Sequence, residues 1–347
     1  MKKVITFLLA LVATNTLWAY DFKAGDLYYN IISNTAPYKV RVTYELLSVP
    51  EHPLDNYLGL TDVVIPDSVT YSGITYSVTS IEDWAFCDCS SLTSIKLPYC
   101  ITNIGLGAFS GCTSLHTINI PDGITSIKYD AFSGCSSLTS INIPSNVTSI
   151  GEGAFGGCSL LTSIAIPNNV TNIGDYAFNG CTSLTSINIP DSVTSIGKYV
   201  FYRCTSLPSI TLPDGVISIG DMAFCDCFSL TSITIPNGVT SIGAWAFYDC
   251  SSLTSVTCKA NTPPTLSTYA FHKVPTDIPV YVPCESLTDY QADAKWNSFT
   301  NIQCMPNDES AVDNITSPTT NSEKLLRDGQ VLIIRNGKIY NAQGIKL

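Results

Sequence analysis

Leu138-Thr139-Ser140-Ile141-Asn142-Ile143-Pro144-Ser145-Asn146-Val147-Thr148-Ser149-Ile150-Gly151-Glu152-Gly153-Ala154-Phe155-Gly156-Gly157-Cys158 is one turn of a pattern that returns every 23 residues. Ile81, Ile104, Ile127, Ile150, Ile173, Ile196, Ile219 and Ile242 mark one position of it, and Phe86 through Phe247 mark another five residues later. Cys89 to Cys250, Leu92 to Leu253 and Ile95 to Val256 keep the same step. A unit this short cannot bury its apolar side alone, so eight such units predict stacked coils sharing one continuous core.

Within a coil, Ile141 and Ile143 alternate with Ser140 and Asn142, which is strand periodicity. Pro144 ends that strand because proline has no N–H to give to a ladder. Val147-Thr148-Ser149-Ile150 predicts a second short strand, and Ala154-Phe155 to Leu161 leaves room for one tight helical turn with Phe, Cys and Leu inward. The expected fold is a leucine-rich repeat solenoid, mostly β with short helical turns, of eight 23-residue coils with N- and C-terminal caps.

Working outward, residues 1–19 read as a signal peptide. Lys2 and Lys3 precede the apolar run Val4–Ala13, and a cut is expected near Ala19. Residues 20–77 form an N-terminal β cap and a degenerate first coil, in which Val64-Ile65-Pro66-Asp67-Ser68-Val69 matches the later coils. The solenoid spans 78–258. Residues 259–304 are a C-terminal capping repeat, where Phe271 falls 24 residues after Phe247. A polar linker covers 305–324, and 325–347 is a short β-hairpin tail turning at Asn336-Gly337.

The coil pattern Leu-x-x-Ile-x-Ile-Pro-x-x-Val-x-x-Ile-Gly-x-x-Ala-Phe-x-x-Cys resembles the BspA-like leucine-rich repeat family of bacterial surface proteins. Tyr28-Tyr29-Asn30-Ile31 is similar to the family's N-terminal cap, and Tyr281-Val282-Pro283 with Tyr290 and Trp296-x-x-Phe299 to its C-terminal one. The resemblance implies a secreted or outer cell-surface protein that binds host, matrix or bacterial proteins without catalysis. The tail is similar to short C-terminal segments found on secreted proteins of Bacteroidales, some of which direct sorting to the outer surface.

With 17 Lys and Arg against 28 Asp and Glu, the net charge is −11 and the isoelectric point near 4.6. That balance opposes nucleic-acid or anionic-membrane binding through bulk charge. No stretch after the leader is long and apolar enough to span a bilayer. A monomer is expected.

Fourteen cysteines in an exported chain first suggest a disulfide framework. Eight of them, however, occupy one rung each, about 4.8 Å apart, beyond the roughly 3.5–4.5 Å between Cβ atoms that a disulfide prefers. They are expected as free, buried thiols. Cys87-x-Cys89 and Cys225-x-Cys227 lie six coils apart, roughly 29 Å, too far for one zinc ion. The pairings of Cys87, Cys100, Cys225, Cys258, Cys284 and Cys304 stay open, with Cys258–Cys284 and Cys284–Cys304 as alternatives. The three histidines, His52, His116 and His272, fall in separate regions, so no catalytic triad assembles from neighbouring coils. No enzyme, metal or cofactor is expected.

Two surfaces are left for a partner. The outward strand column (Lys96, Asn119, Asn142, Ala165, Asn188, Thr211, Thr234, Thr257) is small and polar, suited to hydrogen bonding along its own ladder. The position two before each Phe varies freely and reads as exposed and unconstrained by packing. There and one residue after Phe, the later coils place Tyr176, Tyr199, Tyr202, Trp245 and Tyr248, the residue types that anchor interfaces. These five are the candidate binding residues, for a protein partner or alternatively for a glycan stacking on the rings.

Overall fold

The structure is a computed structural model that describes residues 20–44, 57 and 59–306, and the strand backbone of 322–327, 330–335 and 338–341. The expected signal peptide lies outside the described residues, as does most of the linker. Residues up to 305 form one unit and residues from 306 another.

The first unit is the solenoid. Each coil contributes one short strand to each of two parallel ladders, and the register advances by one repeat: Ser163 pairs Ser186, Ile164 pairs Ile187, and Ile150 pairs Ile173. The turn segment between them holds no regular helix. It is a run of i→i+3 turns, such as Cys158 N–H to Phe155 O at 3.2 Å, alternating with bonds to the next coil. The first ladder is broken once, between Ser186–Asn188 and Ser232–Ile235. Elsewhere the residue after the column Leu donates to the preceding coil, as Thr185 does to Thr162 at 2.9 Å and Thr231 to Pro208 at 3.0 Å. Pro208 has no N–H to give to Thr185, and residues 209–212 fall out of strand geometry.

The core is a stack of columns. Phe86, Phe109, Phe132, Phe155, Phe178, Phe201, Phe224 and Phe247 are fully buried, with successive ring centroids 5.2 to 5.8 Å apart and near-parallel planes. The column cysteines are free and buried beside them. Seven of the eight thiols also make a bond the sequence did not announce: each donates to the carbonyl of the Phe one coil back, from Cys112 to Phe86 at 3.0 Å through Cys250 to Phe224 at 3.1 Å. Burial pushes the Cys135 and Cys181 thiols up to about 12.

Strands β1 (Phe22–Ala24), β2 (Leu27–Ser33) and β3 (Lys39–Thr43) pair antiparallel at the N-terminal end. After β4 (Asp62–Val64), the hairpin of β5 (Ser68–Tyr71) and β6 (Ile74–Ile81) joins β3 to the first coil. At the other end, helix α1 (Leu287–Ala292) and the Cys284–Cys304 disulfide close the stack. Buried Trp296 donates to Pro264 O at 2.9 Å, and the Tyr290 hydroxyl to Ala260 O at 2.7 Å. Cys258 is free, its sulfur 3.2 Å from the same Tyr290 hydroxyl.

In the second unit, Ser322–Arg327, Gln330–Arg335 and Lys338–Asn341 form a three-stranded antiparallel sheet. It has one strand more than the expected hairpin, and it begins three residues before the expected tail. Among the described residues, no helix is long and apolar enough to cross a membrane.

Candidate binding surface

The turn segments of successive coils form one face of the solenoid. Two residues of each coil, four apart, are left-handed, and three amides per coil point along the stack to meet the next coil's carbonyls. The second residue before Phe is left-handed in every coil: φ is 54° at Gly107, 63° at Gly153, 59° at Tyr176, 56° at Tyr199, 53° at Met222 and at Trp245. Glycine suits that conformation, whereas an L side chain there costs roughly 1–2 kcal/mol. The expectation of a position unconstrained by packing is therefore corrected. The backbone does constrain it, and bulky rings stand there at a cost in strain.

Neighbouring coils also interlock across this face. The Trp84 ring lies over Gly107, where any Cβ would overlap it, and meets Tyr129 edge-on at 6.5 Å. In the coil of Gly153, glycine also stands at 156 and 157, and a cleft of about 380 Å³ opens between Tyr129 and Tyr176, edged by Asp130, Glu152 and Asn179. Desolvation holds the Asp130 carboxyl above its ordinary pKa.

The five candidate aromatics fall into two clusters. Tyr176 stacks on Tyr199 at 4.5 Å with planes 8° apart, and Tyr199 meets Tyr202 edge-on at 5.7 Å. Arg203 lies 5.2 Å from the Tyr202 ring and pairs with Asp226 at 3.4 Å. Partial desolvation holds the Tyr176 and Tyr202 hydroxyls above their ordinary pKa, against the opposing pull of the Arg203 guanidinium at Tyr202. The next coil interrupts the rings with half-buried Met222 and buried Cys225. Beyond it, Trp245, 36% exposed, stacks with Tyr269 at 6.2 Å. Tyr248 faces His272 at 5.7 Å and Lys273 at 4.7 Å. Hydrogen bonds to Asp249 and Tyr248 raise the Lys273 ammonium pKa.

Tyr269, His272 and Lys273 extend the face by one coil and were missed in the sequence. A single extra residue puts Phe271 out of the period, although Tyr269-Ala270-Phe271 repeats the Trp245-Ala246-Phe247 pattern.

The strand column behaves differently from the expectation. Asn119, Asn142 and Asn188 are exposed; their backbones pair along the ladder, and their side-chain amides bond to no described residue. The side-chain ladders run beside them instead, through Thr185 to Thr162 O at 3.1 Å, Thr254 to Thr231 O at 3.0 Å and Thr182 to Ser159 O at 3.2 Å. Among the described residues, no three His, Cys, Asp or Glu side chains are grouped to hold a metal ion.

The sequence matches the BspA type leucine-rich repeat region, in six copies, over residues 56–185 and 171–301. A crystal structure of a leucine-rich repeat protein from Bacteroides ovatus is 30% identical, covers 82% of this chain and 77% of its own, and superposes with a TM-score of 0.62. A leucine-rich repeat protein of T. pallidum is 31% identical over 60% of this chain and 90% of its own, with a TM-score of 0.50. No curated protein is similar in sequence.

Proposed function

The chain belongs to the BspA-type leucine-rich repeat family, and from that premise we propose that it is a non-catalytic recognition protein, exported to the cell surface or beyond, which binds a partner protein through its turn face. The observation that carries this is the retention of Tyr176, Tyr199 and Trp245 at left-handed backbone positions that glycine fills in other coils. Strain kept against an easy alternative points to a use for the side chain. Tyr and Trp bring large contact area with little rotamer entropy to lose, which suits them to anchoring an interface. Tyr202 widens the first cluster of the face and Tyr248 the second. The protein acts as a monomer, offering one long face.

Glycan recognition is the second reading, favoured by the cleft between Tyr129 and Tyr176. Two rings flank a glycine floor beside carboxylate and amide acceptors, an arrangement a sugar ring can enter. Capture on arrays of host matrix proteins, bacterial surface proteins and glycans tests both. Saturable binding to a protein that an aromatic variant loses supports the first reading. Binding confined to glycans moves the assignment to the cleft, and no binding above a scrambled-surface variant overturns both.

A further inference from the structure

The turn face carries three continuous chains of hydrogen-bonded amides. The peptide joining Lys198 to Tyr199 accepts from Tyr176 N–H at 2.9 Å and donates to Asp221 O at 2.9 Å, and every coil passes the bond on in the same sense. One chain runs from Trp84 to Thr268, one from Phe86 to Ala270 and one from Asp88 to His272, each of eight bonds between 2.6 and 3.0 Å. An α-helix is built of three such chains, and its aligned peptides sum to a positive pole where the N–H groups are free. Bonds in series also polarise one another. Here all N–H groups point toward the C-terminal end, so the positive pole lies on the last coil.

Three amides end these chains: Tyr269, Phe271 and Lys273. None of them donates to any described residue. All three line a pocket of about 500 Å³ between the last coil and the segment after α1. The two left-handed residues of the coil persist there, with φ of 58° at Tyr269 and 65° at Lys273, so the turn that aims these amides along the stack in the other coils is kept in the last one. Lys273 and Lys295 also line the pocket, and none of its lining side chains is a carboxylate. Lys273 Nζ lies 2.8 Å from Asp249, just outside the lining, and Lys295 Nζ donates to Leu266 O. The Tyr269 ring, 55% exposed, lines the pocket, and Ser267 and Thr276 supply hydroxyls, while that of Ser298 donates to Lys295 O at 2.8 Å.

We propose that this pocket is an oxyanion subsite for an acidic saccharide, with the carboxylate or sulfate on the three terminal N–H groups and the sugar ring against Tyr269. The pocket adjoins the C-terminal end of the protein-binding strip, where Trp245 stacks on Tyr269, but the inference does not rest on that strip binding a protein. The whole chain is titrated with glucuronate, inorganic sulfate and glucose while the amide resonances of Tyr269, Phe271 and Lys273 are followed by NMR. Glucuronate and sulfate are expected to shift all three saturably, glucose not. Ala294 is exposed on the pocket wall, so Ala294→Glu places a competing charge there without touching the core. It should weaken both anions at least tenfold, whereas Ala294→Gln should stay within about threefold. Amides unmoved by both anions, an equal response to glucose, or undiminished binding by Ala294→Glu overturns the proposal. A response to sulfate with none to glucuronate overturns the saccharide and leaves an adventitious ion only.

Discussion

The Tyr57 ring stacks on Phe86 at 4.9 Å, as close as Phe247 stacks on Phe271 at the far end. The aromatic column thus begins inside the N-terminal cap and ends inside the C-terminal one. Tyr57 is locked in place, its hydroxyl donating to Thr43 O at 2.6 Å and accepting from Tyr28 N–H at 3.0 Å. At the other end, Trp296 and Phe299 close over Phe271 at 5.7 and 5.4 Å. The caps do more than hide an edge, because each continues the core column by a ring and then blocks it.

A ring in mid-column has a partner above and below, which fixes the cost of removing it. Phe178 is fully buried between Phe155 at 5.7 Å and Phe201 at 5.8 Å. Phe178→Ala should destabilise by about 3–5 kcal/mol, since the flanking coils cannot collapse into the space without breaking register. Urea unfolding followed by circular dichroism measures it. A thermal midpoint within a degree of the parent would place the ring outside the core.

Register also sets what the chain tolerates by deletion. Removing Gly151 to Ile173 takes out one full repeat and brings Gly174 after Ile150, so both ladders and all three amide chains close again one link shorter. Such a protein should fold as a shorter solenoid, because coils contact only their neighbours. Removing Gly151 to Leu161 takes out half a coil, and polar positions then face the core. That variant should be unfolded, and equal folding of the two by circular dichroism would refute the register argument.

What the sequence disclosed was whatever repeats in side-chain type. The strands at Ile141 and Ile164, the Phe column and the unpaired thiols follow from apolar spacing alone. The hand of the backbone was harder to see. Gly107 and Gly153 in the column of Tyr176 and Tyr199 were the signal, since one column shares one φ, but the bulky members masked it. The break at Pro208 follows from its missing N–H. Tyr269 and Lys273 were lost to a one-residue insertion. The choice between Cys258–Cys284 and Cys284–Cys304 needed three dimensions, because Cys258 faces the core beneath Tyr290.

Alkali should separate the buried thiols from ordinary ones. A folded thiol whose pKa is near 12, as for Cys135 and Cys181, keeps its proton where the unfolded chain, titrating near about 8.5, has lost it. The unfolded state then binds fewer protons, so this stability is complete below about pH 8.5 and falls as pH rises toward 12. The slope reaches about 1.4 kcal/mol per pH unit for each thiol. Urea midpoints under reductant should hold from pH 7 to 8 and drop steeply by pH 10, with a shallower drop for Cys135→Ala plus Cys181→Ala. Thiolate absorbance rising near pH 9 while the dichroism stays native would refute the buried column.

The binding assignment is tested best with glycine, because glycine removes the ring and the strain together. Tyr199 and Trp245 sit at φ of 56° and 53°. Alanine there would keep a Cβ in the left-handed region, whereas glycine recovers roughly 1 kcal/mol against the stacking it forfeits. Tyr199→Gly with Trp245→Gly should therefore unfold within about 1 kcal/mol of the parent. The same variant should lose about 2 kcal/mol or more of affinity for the protein captured on the arrays, as interface anchors do. Asn142→Ala with Asn188→Ala removes two exposed amides of the strand face and should leave that affinity within about 0.5 kcal/mol. Isothermal titration of both double variants decides between the faces. If the asparagine pair abolishes binding while the glycine pair binds like the parent, recognition belongs to the strand ladder, and the strain at Tyr199 and Trp245 needs another explanation.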